Sequence, residues 1–337
     1  MRKEPTLEQW RELYKLGLKI RDMEPWNDFQ DLDIIAMEIP EKKEPYFCSI
    51  LGAGGQCFGI NTFVGYDGLR NFLTIADSEN YMPLDYIMVE QSNLACFFGD
   101  KDIVPEHQIE VMKELGIKFR GKNKWIYFQS YKKGHMPAAM DGEEAEVLIV
   151  CLRELISAIK DCNKLQLTLD FDAGDVLVRR FYKEKGKWGT TKERLTQYLY
   201  GYPSLVLKDE ILAAKLKRKT RIEEVLEFDM VYINVTIEDE LYERPIRPKL
   251  LLLVEHYEGL IRGQHFFAPG LDEIQAIMEL LINYIMEYGR PMEIYIRNPF
   301  IENILKHTCD ICGIKLTMKK SLEVVDEFVN GFEVLGL

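Results

Sequence analysis

Hydrophobic residues recur every three or four positions in two stretches of the N-terminal half, and this spacing predicts two amphipathic helices. The first stretch follows Thr6, which has Gln9 at the spacing of a capping box, and it ends at Pro25. The second follows Asp141 and Glu144. Its apolar positions are Ala145, Leu148, Ile149, Leu152, Leu155, Ile156 and Ile159. Each helix therefore has one apolar side, which we expect to pack on a hydrophobic core.

Shorter hydrophobic runs predict strands in pairs. Residues 46–51 and 58–64 flank a glycine-rich segment at 52–55, which predicts a hairpin with a long turn. Further pairs are predicted at 84–90 with 94–98 and at 165–171 with 175–182. Strands mixed with amphipathic helices indicate an α+β fold with mixed sheets and packed helices.

The C-terminal part of the chain has the most regular alternation of elements. The order β-β-α-β-α-β-α is predicted at residues 250–254, 260–267, 271–288, 292–296, 298–313, 314–318 and from Ser321 onward. This order predicts a mixed sheet with helices packed on it. It is similar to the order of elements in a ribonuclease-H-like nuclease or integrase core.

The same pattern divides the chain of 337 residues into three regions. We expect an N-terminal α+β domain at 1–163, a basic middle segment with a strand pair and a short helix at 164–243, and a C-terminal α+β domain at 244–337. The last boundary coincides with the sequence Arg-Pro-Ile-Arg-Pro at 244–248, because each proline favours an extended conformation in the residue before it.

Two sets of motifs carry a resemblance to a known family. The N-terminal set is Trp10-x-x-Leu13-Tyr14, then Pro25-Trp26, then Gly65-x-x-Gly68-Leu69, and the C-terminal set is Arg247-Pro-x-Leu250 followed by Leu253-Val254. With these motifs the chain resembles a bacterial family of proteins of uncharacterised function. Glycines, aromatic residues and prolines specify a fold rather than a chemistry, so the resemblance implies no catalytic residue.

Composition narrows the class of protein. Hydrophobic residues make up 47% of the chain, which excludes a disordered protein, and 23 glycines without a repeat exclude a collagen-like one. The start of the chain lacks the apolar stretch of a secretory signal, and the longest purely aliphatic run covers only 250–254. The seven cysteines are too scattered for a disulfide framework. We therefore expect a cytoplasmic protein without a membrane segment.

One segment departs from the acidic net charge of −12. Between Arg179 and Arg221 the chain has 13 basic and 4 acidic residues, with aromatic residues among them. Cations bind phosphates through counterion release and aromatic rings stack on unpaired bases, so the segment 179–221 is a candidate surface for nucleic acid. The alternatives are an acidic protein partner and a solvated basic face that docks on the protein's own acidic surface. The candidate ligand-binding residues are Arg179, Arg180, Lys183, Lys187, Trp188, Lys217, Arg218 and Lys219.

A second candidate site is acidic. Asp170, Asp172 and Asp175 lie around Gly174, and three carboxylates could hold Mg²⁺ or Ca²⁺. A solvated turn explains the same residues, because Asp and Gly both favour turns. A ribonuclease-H-like site would need carboxylates that converge on two metal ions. Residues 250–254, taken as the first strand of that fold, contain none, and Glu255 stands only at their end.

No complete cofactor motif is present. The glycine-rich segment at 52–55 lacks the lysine and the helix of a phosphate-binding loop, and Cys309 with Cys312 supplies only half of a zinc site. We interpret the chain as a non-catalytic binding or interaction protein without a cofactor, whose contact surface is the basic segment. The alternative is a metal-dependent hydrolase or nuclease with an incomplete ribonuclease-H-like site, which would use Asp170, Asp172, Asp175 or Glu255.

Overall fold

The structure, a computed structural model, describes residues 3–76, 82–196, 201–240, 243–267 and 270–334. The chain forms two compact units. The first, called the N-terminal unit, consists of Met1–Ala76, Gln91–Lys132 and Pro137–Tyr200. The second, the C-terminal unit, consists of Asp77–Glu90, Lys133–Met136 and Gly201–Leu337.

The helices and strands of the described residues follow in chain order. The helices are α1 (Leu7–Met23), α2 (Gly65–Ala76), α3 (Leu84–Val89), α4 (Glu106–Glu114), α5 (Gly142–Leu165), α6 (Glu210–Arg218), α7 (Glu273–Glu287), α8 (Pro299–Cys312) and α9 (Glu323–Val334). The strands are β1 (Ile35–Glu38), β2 (Tyr46–Leu51), β3 (Phe58–Val64), β4 (Asn93–Gly99), β5 (Trp125–Tyr131), β6 (Asp175–Tyr182), β7 (Lys187–Arg194), β8 (Val225–Tyr232), β9 (Lys249–Glu255), β10 (Ile261–Phe267), β11 (Glu293–Ile296) and β12 (Lys315–Met318). In these described parts, no helix is both long and apolar enough to cross a membrane.

The N-terminal unit is built on a seven-stranded sheet with the strand order β5-β4-β3-β2-β1-β6-β7. Neighbouring strands are antiparallel except for β1 and β6, which are parallel. Helices α1 and α5 start with the capping boxes of Thr6 with Gln9 and of Asp141 with Glu144. Their apolar sides pack in the larger core of the unit, and α2 packs in a smaller one. Both predicted amphipathic helices are thus confirmed.

The C-terminal unit is built on a five-stranded sheet with the order β10-β9-β8-β11-β12. Strands β10, β9 and β8 are antiparallel neighbours, and β8, β11 and β12 are parallel neighbours. Every residue of the central strand β8 is buried. One side of the sheet packs in a core with α7 and α8, and the other side packs in a smaller core with α9.

The α+β fold with mixed sheets and packed helices is confirmed, while two strand predictions are wrong. Residues 84–90 form helix α3 and the turn after it, because Pro83 begins a helix there. Residues 165–171 form no strand: α5 continues to Leu165, and β6 pairs with β7 instead. Strand β7 lies at the edge of its sheet and carries charged residues, as edge strands often do, so it has no hydrophobic pattern.

We predict that Gly68→Ala destabilises the N-terminal unit by about 1–3 kcal/mol, because a Cβ atom there forces overpacking. That atom would lie 2.8 Å from the carbonyl oxygen of Ser92, a backbone atom that cannot rotate away. Gly54→Ala is the matched control, since a Cβ atom there would have no neighbour within 4 Å. Hydrogen exchange of the β3 and β4 amides measures the difference. Equal exchange in the two variants would contradict the close packing of α2 on residue 92.

Candidate functional site

The basic residues at 179–194 lie on the hairpin formed by β6 and β7. Strand β1 pairs with β6 only as far as Glu38 opposite Arg180, whereas β6 and β7 stay paired as far as Tyr182 opposite Lys187. Residues 181–188, which we call the hairpin tip, therefore continue beyond β1 as a two-stranded ribbon. Gly186 closes the turn with a φ of 58°, a left-handed conformation that glycine adopts without strain.

The two arginines at the base of the hairpin serve the structure of the N-terminal unit. Arg179 is 7% exposed, and its guanidinium donates to Glu154 at 2.9 Å and to Asp161 at 2.8 Å. Arg180 pairs with Glu38 and with Glu193, and the hydrogen bond to Glu38 is the main reason why its pKa is raised. Both positive charges are thus neutralised within the unit, which leaves little of either for a partner.

The lysines of the hairpin tip, unlike the two arginines, are not paired with carboxylates of the described residues. Lys183, Lys185 and Lys187 are exposed, and none of them takes part in an ion pair with a described residue. Lys185 lies over the ring of Tyr182, with its Nζ 5.4 Å from the ring centroid. The half-buried Trp188 packs edge-on against Phe181 across the hairpin, at a centroid distance of 5.6 Å. The tip therefore combines free cations with aromatic rings.

The remaining basic candidates belong to the C-terminal unit. Lys217 and Arg218 are exposed in the last turn of α6, where cations favour the helix dipole, and Lys219 donates to the carbonyl oxygen of Met286. The segment 179–221 is therefore divided between the two units, with the hairpin residues in the first and the residues of α6 in the second.

The acidic candidates have the contacts of a turn. Asp175 accepts a hydrogen bond from the amide of Asp170 at 2.8 Å and pairs with Lys192 at 2.6 Å. Asp170 accepts one from the amide of Ala173 at 3.0 Å, and Asp172 lies in the same turn. Over the described ranges, no group of three or more His, Cys, Asp or Glu side chains is arranged to hold a metal ion. The metal site at these residues stays a prediction.

Sequence reasoning missed a charged network in the C-terminal unit, in which Glu90 and Lys249 are buried and Lys133 is exposed. Lys249, at the start of β9, contacts Glu90 and also Glu273, the latter at 2.7 Å. Lys133 contacts the second oxygens of the same two carboxylates, at 3.1 and 3.0 Å. Burial by itself would raise the pKa of Glu90, but Lys249 and Lys133 outweigh it and lower that pKa to about 2. The signal that could have revealed this network is a lysine directly before the aliphatic run 250–254.

Two tyrosines complete this buried network. The Tyr232 hydroxyl donates to Glu90 at 2.6 Å, and Nζ of Lys249 lies 4.9 Å from the ring centroid of Tyr232 and 5.5 Å from that of Tyr86. Burial raises the pKa of both tyrosines, so both stay protonated at neutral pH. Two cations therefore contact two carboxylates in this network, and its Lys133 side chain, which is 48% exposed, reaches solvent.

Two further carboxylates are buried on the other side of the same sheet. Asp229 in β8 accepts from Nε of Arg297 at 2.6 Å, and Nη1 of Arg297 contacts Asp326 at 2.7 Å. Oδ1 of Asp229 is buried without a hydrogen-bond partner among the described residues. Glu227, also in β8, contacts Nδ1 of His256 at 2.7 Å. The partner of His256 is therefore a residue of the neighbouring strand rather than Glu255, which precedes it in sequence.

The sequence matches two family models, and neither has an assigned function. Residues 10–179, a little more than half of the chain, match the domain of unknown function DUF7309. The chain belongs to the DUF7309 family. C-terminal to the DUF7309 region, residues 212–333 match a second domain of unknown function, DUF6930. The resemblance to a family of uncharacterised function is thus confirmed, and bacterial origin stays a prediction.

Comparison beyond these families adds little to the DUF7309 assignment. No curated protein matches the sequence. Among solved structures, the chain is similar to one from a cryoEM structure of the simian T-cell lymphotropic virus intasome in complex with PP2A regulatory subunit B56 gamma, with 14% identity and a TM-score of 0.24. The match covers 36% of this chain and 43% of that chain, so it spans less than half of either. Such a likeness is too weak to support a conclusion about fold or function.

We predict that Lys249→Met lowers the free energy of unfolding of the C-terminal unit by about 3–5 kcal/mol, because the buried Glu90 and the partly buried Glu273 then have one cation fewer. Lys315→Met is the matched control. It breaks a pair with Glu293 in which the lysine side chain is 69% exposed, and such exposed pairs contribute little to stability because solvent screens them. Hydrogen exchange of the β8 and β9 amides measures both losses. A loss in Lys249→Met no larger than in the control would show that the network does not stabilise the unit.

We predict that Asp229→Asn removes part of the pH dependence of stability. Burial raises the pKa of Asp229 from 3.8 to about 6, although Arg297 acts in the opposite direction. The folded chain therefore binds a proton that the unfolded chain has released, so wild-type stability falls as the pH rises from about 4 to about 6. The fall is up to about 3 kcal/mol at about 1.4 kcal/mol per pH unit.

Hydrogen exchange of β8 at several pH values, corrected for intrinsic rates, measures this slope in both proteins. The variant is expected to lose less stability than the wild type over this interval. The lowered pKa of Glu90 acts in the opposite sense, because its stabilisation is lost as the pH falls from 4.5 towards about 2. Equal slopes in wild type and variant above pH 4.5 would contradict the raised pKa of Asp229.

Proposed function

We propose that this protein is a non-catalytic binding protein that contacts an anionic partner through the hairpin tip, residues 181–188. The observation that supports this proposal is the difference between neutralised and free cations on one hairpin. Arg179 and Arg180 are paired with carboxylates at its base, whereas the three lysines of the tip have no ion-pair partner among the described residues. Unpaired cations retain the electrostatic attraction that draws an oppositely charged partner.

Nucleic acid is the partner that this arrangement favours. Exposed lysines bind phosphates and release the counterions condensed on them, and Trp188, Phe181 and Tyr182 supply rings on which an unpaired base could stack. The hairpin tip also continues beyond the last residue of β1 that pairs with β6, so β1 does not cover it. An acidic protein would use the same lysines but would not need the rings.

The alternative of a metal-dependent hydrolase or nuclease has less support. Asp170 and Asp175 are used in a turn, and Glu255 accepts hydrogen bonds from the amides of Tyr257 and Glu258. A cytoplasmic location, independence of a cofactor and the domain boundaries at 163 and 243 accompany the leading proposal as further predictions.

We predict that the triple variant K183M/K185M/K187M binds single-stranded nucleic acid at least about tenfold more weakly than the wild type and has a salt slope smaller by about 3, or about 1 per lost phosphate contact. Fluorescence anisotropy with labelled single-stranded DNA and RNA at several salt concentrations measures both quantities. Trp188→Ala is expected to weaken binding further if a base stacks on the ring, since stacking contributes about 1–3 kcal/mol per base.

The control variant K113M/K118M/K122M changes the net charge by the same amount through three other exposed lysines of the N-terminal unit. It is expected to bind like the wild type. Absence of binding to any single-stranded nucleic acid at low salt would exclude this partner. An equal loss in the two triple variants would show that binding is non-specific and does not involve the hairpin tip.

A further inference from the structure

Helix α9 packs on the C-terminal sheet through a small apolar contact. Among the described side chains of residues 321–331, only Leu322 and Val325 are buried, and both belong to the smaller core of the unit. Gly331 lies inside the helix, where glycine lowers helix stability relative to alanine. Elements with few buried apolar contacts open at a lower free energy than the rest of a fold. We therefore expect α9 to leave the sheet locally while the sheet stays folded.

Two carboxylates of β8 hold this helix on the sheet. One oxygen of Glu227, Oε2, accepts a hydrogen bond from the amide of Val325 at 3.0 Å. Asp229 acts through Arg297, whose Nε lies 2.6 Å from Oδ2 of Asp229. Nη1 of the same guanidinium lies 2.7 Å from Oδ1 of Asp326 in α9. Arg297 therefore connects β8 to α9.

Asp229 is buried on the side of the sheet that α9 covers. It is 0% exposed, and it alternates along β8 with Phe228 and Met230, which belong to the core on the opposite side. Its Oδ1 is buried without a hydrogen-bond partner among the described residues. An ionised carboxylate without donors or water at one oxygen is costly, so this environment favours the protonated form. Burial accordingly raises the pKa of Asp229 to about 6, although Arg297 lowers it.

Three of the described titratable side chains interact with Asp229 from the elements packed around it. Arg297 follows β11, Asp326 lies in α9 and Tyr86 lies in α3. Arg297 lowers the pKa of Asp229 and Asp326 raises it, whereas Tyr86 stays neutral because burial raises its own pKa. The residue opposite Asp229 in β9 is the apolar Leu252. Ionisation of Asp229 therefore places a negative charge under α9 that Arg297 shares with Asp326.

We propose that α9 is a proton-controlled cover of the C-terminal sheet, which docks tightly while Asp229 is protonated and opens more readily once Asp229 is ionised. Opening admits water to the second oxygen of Asp229 and thereby favours its ionised form. By linkage, the proton that opening releases stabilises the docked helix. This stabilisation is present below a pH of about 4 and is lost as the pH rises to about 6. The cover lies within the C-terminal unit and does not depend on the proposed role of the hairpin tip.

Hydrogen exchange of the full chain between about pH 4 and about pH 6, corrected for intrinsic rates, tests the proposal. The amides of α9 are compared with those of α7, which packs on the other side of the sheet. We expect α9 to open more readily than α7, and its ratio of open to docked molecules to rise with pH by up to about 100-fold. Asp229→Asn is expected to remove most of this rise, because the amide side chain does not ionise. His256 and Asp326 are present in both proteins, so the difference between them reports Asp229.

Asp326→Asn tests the contact of Arg297 with α9 separately. It is expected to raise the open fraction of α9 by about threefold or more at every pH and to leave the α7 amides unchanged, because only the contact to the helix is weakened. Glu327→Gln is the matched control, since Glu327 is an exposed acid at the next position of the same helix. It is expected to exchange like the wild type.

Three results would each overturn the proposal. One is the same pH dependence of α9 exchange in the wild type and in Asp229→Asn. Another is an equal open fraction of α9 in Asp326→Asn and in Glu327→Gln. The third is exchange of the α9 and α7 amides at the same free energy in the wild type, because α9 would then open only when the whole unit unfolds.

Discussion

The C-terminal unit depends on carboxylates that neutralise a lysine within its own sheet. Lys249 is 4% exposed at the start of β9, a strand that is otherwise aliphatic up to its last residue. A buried ammonium is tolerated only when carboxylates contact it, because its desolvation is otherwise too costly. Glu273 provides one carboxylate from the same half of the chain, and Glu90 provides the other from 159 positions away. This requirement gives a physical reason for the presence of Glu90 in the unit.

The compact units and the family matches consequently divide the chain differently. The region that matches DUF7309, residues 10–179, contains both segments that belong to the C-terminal unit, 77–90 and 133–136. Those segments carry Glu90 and Lys133. Each of the two lysines, Lys133 and Lys249, contacts both Glu90 and Glu273. A fragment limited to the C-terminal sequence would keep only one carboxylate beside Lys249. The two matched regions are therefore physically interdependent, although each corresponds to a separate family model.

Local signals in the sequence were sufficient to predict the helices that have a capping box and one apolar side, and the hairpin that has a glycine-rich turn. Thr6 and Asp141 start α1 and α5 through contacts three residues away, and the hairpin of β2 and β3 needs only its glycine-rich turn. Strand β7 could not be predicted in this way, because an edge strand with charged side chains has no apolar pattern. The same limit applies to the candidate site: whether Arg179 is a contact residue or a buried ion-pair partner depends on Glu154 and Asp161 in another element.

The partner of His256 shows why adjacency in sequence misleads for charged residues in sheets. Glu255 precedes His256, but neighbours along a strand point to opposite sides. The antiparallel register places Leu226 opposite Glu255, and the next residue of β8, Glu227, is the one that reaches the imidazole. Whether a charged residue in a sheet has an oppositely charged partner therefore depends on the neighbouring strand, and its neighbours in sequence do not reveal that partner.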